Sequence, residues 1–240
     1  MKNDNKILVI GHTGAKSMAP ENSLKSFQKA IELKADFIEF DLRLSKDGEF
    51  VIIHDENTLN LTGYNGLVDE MTLRELKKLD IGEGEKIPTL TELIKITKGK
   101  IKLLTDIKIW GFTQDLVNII RKNDLIESSI VSCFEIAELL KIKELEQTLK
   151  IAYSIPRYLT NIRRVKRYIQ RAIDNEFYAI HPYHQVVDRA FVEFAHNNGL
   201  KVNVWTVNEE DLMRKFIDLR VDGIMTDDIP LLNKLLGRSY

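Results

Sequence analysis

The sequence lacks the features that mark several large protein classes. Its one cysteine, Cys133, cannot form an intramolecular disulfide and reads as a small side chain packed in a strand. No apolar run approaches the roughly 18 residues of a spanning helix, so integral membrane association is not expected. A formal charge of -1 leaves no whole-protein field to gather nucleic acid or an anionic membrane, and nucleic acid is not expected as a partner. Met1 to Asn5 is polar and runs straight into a strand without the apolar core of a signal peptide, which implies a cytoplasmic location. There is also no composition break and no repeat. One domain over residues 1–240 is therefore expected, with 44% hydrophobic content to fill its core.

What is present is concentrated in Phe37-Ile38-Glu39-Phe40-Asp41-Leu42, where two carboxylates alternate with large apolar residues. Side chains two apart on a strand point the same way, about 6.6 Å apart. An ionised carboxylate in a dry interior is costly unless it is paired or holds a metal, and two together repel each other. A divalent cation relieves both problems; an ion pair with Lys or Arg is the alternative. Two further apolar runs end in histidine: Ile7 to Ile10 leads to Gly11-His12-Thr13-Gly14, and Phe50 to Ile53 leads to His54-Asp55. Histidine titrates nearest neutrality and so serves best as a general acid or base.

The string from His12-Thr13-Gly14, through Ala19-Pro20-Glu21-Asn22-Ser23 and Ala35 to Gly48, to Ile53-His54-Asp55 resembles the glycerophosphodiester phosphodiesterase family. The resemblance continues through Ile87 to Leu90, Ser132-Cys133-Phe134, Val204 to Asn208 and Val221 to Asp227, and so spans nearly the whole chain.

Periodicity gives strands at Ile7 to Gly11, Phe37 to Leu42, Phe50 to His54, Ile101 to Ile107, Ile130 to Phe134, Ile151 to Ile155, Ala179 to Pro182, Lys201 to Thr206 and Gly223 to Thr226. That is one too many for an eight-stranded (β/α)8 TIM barrel. Asp47-Gly48 is a tight-turn pair that would fold Phe50 to His54 back on Phe37 to Leu42, so this run becomes a hairpin arm at the barrel mouth. An insertion of about residues 46–98 then lies between the second and third barrel strands. Capping boxes at Thr72-Glu75 and Thr89-Glu92 start two helices. Others fit Ser23 to Leu33, Gln114 to Lys122, Glu135 to Gln147, Arg163 to Asp174, Arg189 to Asn197 and Glu209 to Asp218.

Barrel enzymes keep their chemistry at the C-terminal strand ends, where His12, Glu39, Asp41, Asp106, Lys108 and Trp205 converge. The resemblance implies hydrolysis of a small glycerophosphodiester to sn-glycerol 3-phosphate and an alcohol. It also implies metal ligands at Glu39, Asp41 and Asp106 and an acid/base pair at His12 and His54. An oxygen-only ligand set suits Mg²⁺ or Ca²⁺. Lys108 would hold a phosphate oxygen and Trp205 would wall the glycerol side.

Three positions depart from the family pattern. Thr13 stands where an arginine is usual, on the substrate-binding side; losing a charge-assisted hydrogen bond of about 1.5–3 kcal/mol would slow turnover roughly 10- to 100-fold. Asn60-Leu61-Thr62 lacks a second arginine, and Asp106 replaces a usual Glu. Two alternatives follow: a catalytically weak phosphoester-binding relative, or a lysophospholipase D-type enzyme whose apolar groove draws on Leu59, Leu61, Tyr64, Leu67 and Met71. Arg163, Arg164, Lys166, Arg167 and Arg171 read as the solvated face of an outer helix, with membrane contact or substrate steering as the alternatives. His181 has no role that follows from its type.

Overall fold

The structure, a computed structural model, describes residues 6–239; the polar segment Met1 to Asn5, on which the reading of location rests, lies outside the described residues. Nine strands form one sheet: β1 Leu8–Gly11, β2 Phe37–Leu44, β3 Phe50–Ile52, β4 Lys102–Ile107, β5 Ser129–Cys133, β6 Lys150–Ile155, β7 Ala179–Pro182, β8 Lys201–Val204 and β9 Gly223–Thr226. All neighbours are parallel except β2 and β3, and β1 pairs with both β2 and β9, so eight strands close into a barrel. Closure removes the open edges that an eight-stranded sheet would otherwise present. The fold is a TIM barrel.

β3 is the hairpin arm. Leu42 pairs with Ile52 and Leu44 with Phe50 across a turn in which Gly48 has φ 84°, a left-handed conformation that suits glycine. Ile53 donates to the Asp41 carbonyl at 3.1 Å, which keeps His54 beside the end of β2.

Helices α1 Leu24–Glu32, α2 Leu59–Thr62, α3 Leu73–Leu76, α4 Leu90–Thr97, α5 Thr113–Lys122, α6 Ile136–Leu145, α7 Ile162–Asp174, α8 Arg189–Asn197, α9 Glu210–Asp218 and α10 Ile229–Leu235 occupy the connections and the C-terminus. Both capping boxes form, at Thr72 and Thr89. The N-cap of α1 is Ser23, whose hydroxyl accepts from the Ser26 N–H, so Asn22 is left for another task. The helix α10 is additional to the sequence reading; its start is marked by the Asp228 side-chain cap and by Pro230 in the first turn.

Strand alternation sorts the core into separate layers. Ile38, Phe40 and Leu42 face the helices and join the large outer cluster, as does Cys133. Ile10, Phe37, Leu104, Ile130, Ala152, Ala179 and Met225 face inward and plug the barrel. Two residues further along the same strands come His12, Glu39, Asp106, Ser132, Ser154, His181 and Asp227. The polar ring is thus the next inward-facing layer above an apolar floor, and Asp41 lies in register with Asp106.

The insertion has a small core of its own, with Val51, Ile53, Val68, Leu76, Ile81 and Ile87 buried and Leu61 and Met71 packed against them. Leu59, Tyr64 and Leu67 remain exposed. The groove considered from sequence is therefore divided, because its two inward residues are used for packing.

Candidate active site

The inward layer places His12, Glu39, Asp41, His54, Asp106, Lys108 and Trp205 around one cavity at the C-terminal ends of the strands, with Ser132, Phe134, Ser154 and His181 completing the wall. Glu39, Asp41 and Asp106 are buried, and one oxygen of each lies within 4.8 Å of the others. Each has fixed partners. Glu39 accepts from the Thr13 backbone N–H at 2.9 Å. Asp41 accepts from the Asn22 amide at 2.9 Å. Asp106 accepts from the Ser132 hydroxyl and from the Lys108 ammonium, each at 2.6 Å, and Lys108 also stands 3.2 Å from Asp41.

The electrostatics follow from burial and crowding. Burial and then the neighbouring Asp41 push the Glu39 carboxyl up to about 8. Burial also works against ionised Asp41, yet Lys108, His54, the Asn22 amide and His12 together hold it below the usual carboxylate range. Burial opposes the Lys108 charge too, and Asp106 and Asp41 overcome that and raise it. The cluster thus carries more negative charge than Lys108 offsets, and Glu39 keeps its proton near neutrality as a result. A buried, oxygen-only, over-negative donor set fits a hard divalent cation, because such a cation would supply the missing charge and take the ligand atoms present.

Both histidines line the same cavity as this cluster, and each has a carboxylate partner. His12 Nδ1 lies 2.7 Å from Asp227 Oδ1. Burial works against its charged form, but the Asp227 hydrogen bond and the charges of Glu39, Asp227 and Asp41 raise it to about 9. Asn208 in turn donates to Asp227 Oδ2 at 2.7 Å. His54, on the arm, has Nδ1 2.7 Å from Asp55 Oδ1, and Asn60 donates to the other Asp55 oxygen at 2.9 Å. Arg43 fixes the segment by donating from Nε to the His54 carbonyl at 2.8 Å. Such partners orient an imidazole and leave its Nε2 for chemistry.

Trp205 donates from its indole N–H to the His181 carbonyl at 2.8 Å and meets Phe134 edge to face with centroids 6.0 Å apart. His181 lies beneath, and burial lowers its basicity to about 3. Thr13 departs from its expected place on the substrate side, since it is buried and does not line the cavity. Its hydroxyl has no partner among the described residues, while its N–H holds Glu39. The turn leaving β1 puts Thr13 at φ 51°, an unusual conformation for a β-branched residue.

Asp227, Asp55, Asn22 and Ser132 were missed as functional candidates. Asp227 had a readable signal, as a carboxylate at the end of the last strand, which a closed barrel brings beside the first. Asn60 is the compensating feature in the departing Asn60-Leu61-Thr62 segment, where it holds the partner of His54.

Residues 12–231 match the Glycerophosphoryl diester phosphodiesterase family. The chain is 35% identical over 247 residues to the glycerophosphodiester phosphodiesterase of Caldanaerobacter subterraneus, with 98% of this chain and 99% of that protein covered. Among solved structures, it resembles a glycerophosphodiester phosphodiesterase from Thermotoga maritima, at TM-score 0.80 and 29% identity over 95% of this chain and 98% of the other. It also resembles an Oleispira antarctica phosphodiesterase in complex with the product sn-glycerol-3-phosphate, at TM-score 0.84 and 26% identity, with 97% of each chain covered. A TIM barrel whose mouth gathers three buried carboxylates and two histidines in one cavity, matched along nearly its whole length, defines a phosphodiesterase. The chain belongs to the glycerophosphoryl diester phosphodiesterase family, whose members are enzymes.

Proposed function

We propose that this chain hydrolyses soluble glycerophosphodiesters to sn-glycerol 3-phosphate and an alcohol, with His12 and His54 as its acid/base pair. The observation that carries this reading is the placement of two carboxylate-oriented histidines in one cavity with a buried three-carboxylate cluster. One histidine removes the proton of the attacking oxygen and the other protonates the departing alkoxide, each kept in a single ring orientation by Asp227 or Asp55.

Glu39, Asp41 and Asp106 would hold Mg²⁺ or Ca²⁺. When bound, the cation supplies positive charge against the diester's non-bridging oxygens. Lys108 binds a phosphate oxygen as a second, permanent positive charge, and its own position is kept by Asp106, Asp41 and the face of Phe134, 5.3 Å away. Trp205 walls the glycerol side. Asp106, shorter than the usual Glu by about one C–C bond of roughly 1.5 Å, favours Ca²⁺, which tolerates longer contacts than Mg²⁺.

The test is release of glycerol 3-phosphate from a panel of glycerophosphodiesters, each with EDTA, Mg²⁺ or Ca²⁺. Cation-dependent release is expected. Folded protein that releases nothing under any condition would be a phosphoester-binding relative, and equal release in EDTA would remove the metal role of the three carboxylates.

A further inference from the structure

Large apolar side chains are unevenly distributed over this surface. Among the described residues, all the exposed ones except Leu140 and Phe194 lie on loops or on the insertion around the barrel mouth. The most concentrated run is Ile109-Trp110-Gly111-Phe112, an uncharged loop that begins one residue after Lys108. Trp110 is 53% exposed and Phe112 39%. Two strands further round, the loop after β6 presents Tyr158 at 79% exposure, next to exposed Arg157. Strands β4 and β6 are separated by β5 alone, so these loops start about 10 Å apart.

Directly behind Tyr158, α7 opens with exposed Arg163 and Arg164 and has no acidic residue in its first turn. A helix N-terminus carries partial positive charge and prefers Asp or Glu there. Two arginines at that place add nothing to the helix's own stability, and with Arg157 they form a local basic group beside the exposed rings. Aromatic tips beside arginines are the composition of a surface that lies in a lipid interface.

We propose that this arc of the mouth docks on an anionic lipid bilayer, with Trp110, Phe112 and Tyr158 entering the interfacial layer and Arg157, Arg163 and Arg164 meeting lipid phosphates. The attraction is local, because the whole chain carries a formal charge of only -1. If the phosphodiesterase reading is right, on which this consequence rests, docking brings the headgroups of single-chain glycerophospholipids to the same cavity. The soluble diesters then enter from the open side.

The experiment is cosedimentation of the full chain with vesicles of phosphatidylcholine, with and without phosphatidylglycerol. Binding to the anionic vesicles is expected, with little to the neutral ones and release at high salt. Trp110→Ser with Tyr158→Ser should weaken it about tenfold or more, and Arg163→Glu with Arg164→Glu should remove the preference for anionic lipid. Leu140→Ser with Phe194→Ser should bind like the parent. All these positions are exposed, and thermal melts would verify that each variant is folded. Turnover of glycerophosphocholine by the same variants should match the parent, and it is read separately. Turnover without vesicle binding would overturn the docking surface alone, whereas vesicle binding without turnover would support docking and remove the phosphodiesterase reading. A dimer dissolved by the Trp110 and Tyr158 changes, with no vesicle binding, would overturn docking in favour of self-association.

Discussion

The two ends of the barrel use the same residue types for opposite purposes. At the N-terminal floor, Asp36 accepts from the Val9 N–H at 2.8 Å and from Arg238 at 2.6 Å, with Lys6 at 3.2 Å. Asp222 likewise accepts from the Val202 N–H at 2.8 Å, with His196 at 2.7 Å and Lys201 at 2.9 Å. Both carboxylates there are matched by cations, and although burial opposes it, the Val9 N–H and Arg238 hold Asp36 below the usual carboxylate range. At the mouth three carboxylates share Lys108, and Glu39 is driven the other way, to about 8. A buried Asp beside His and Lys is therefore not a sign of chemistry in itself. Imbalance is the sign, because the site as proposed would take up a cation and an anionic substrate and is left incomplete in isolation.

Four experiments bear on this contrast. The largest effect is expected from His12→Ala and His54→Ala, each lowering kcat by about 10²- to 10⁴-fold. A mouth histidine replaced without loss of turnover would end the acid/base assignment. Next, Asp227→Asn should lower kcat by about tenfold to a hundredfold. Because Asp227 helps raise His12, its loss should also move one limb of the pH–rate profile to lower pH. An alkaline limb that moves identifies His12 as the acid, and an acidic limb identifies it as the base; a profile that stays fixed would mean Asp227 does not tune His12.

On the floor, Asp222→Asn should cost about 1–3 kcal/mol of stability with kcat unchanged, as read by denaturant melts and turnover side by side. A loss of kcat at unchanged stability would break the contrast. The smallest effect concerns pH. His12 is raised from 6.5 to about 9, so its contribution is complete below 6.5 and disappears as pH rises through about 9. Native Glu39 keeps its proton up to about 8, whereas the unfolded chain releases it near 4.5, so stability again falls as pH rises between those values. The buried His181, lowered to about 3, works the other way only below 6.5, so the cation-free protein should lose Tm as pH rises from about 6.5 to about 9. Adding Mg²⁺ or Ca²⁺ at the alkaline end should restore it with release of a proton. Calorimetry in EDTA that showed a flat or rising Tm would contradict the charge imbalance.

Much of the fold was legible because it rests on local rules. Alternation in Phe37 to Leu42 identified both the strand and the face its carboxylates share, and Asp47-Gly48 identified the arm that takes β3 out of the barrel. Strand ends shifted by a residue or two, as at Lys201–Val204, where Trp205 continues the direction through a single parallel bridge to Tyr183. The first members of the site were legible for the same reason, since His12, Glu39, Asp41 and Asp106 follow their strands by period two. Their partners were not. His12 and Asp227 are 215 residues apart and meet only because the barrel closes. Asn22 and Ser23 both suit the cap of the first helix, and only the tertiary fold shows that Ser23 takes that role while Asn22 turns to Asp41. The fate of Leu61 depended on the insertion's own packing, which no periodicity in so short a helix reveals.

The arm has one further consequence. His12 is carried by the barrel wall, while His54 is carried by a two-stranded ribbon anchored at Leu42, Arg43 and Leu44. The span between the two histidines is therefore set by how this arm is seated, with Ile52 donating to the Pro88 carbonyl at 2.8 Å on its other edge, rather than by the dimensions of the barrel alone. Substitutions at the Gly48 turn, far from any substrate, would act on the enzyme as a change of spring constant.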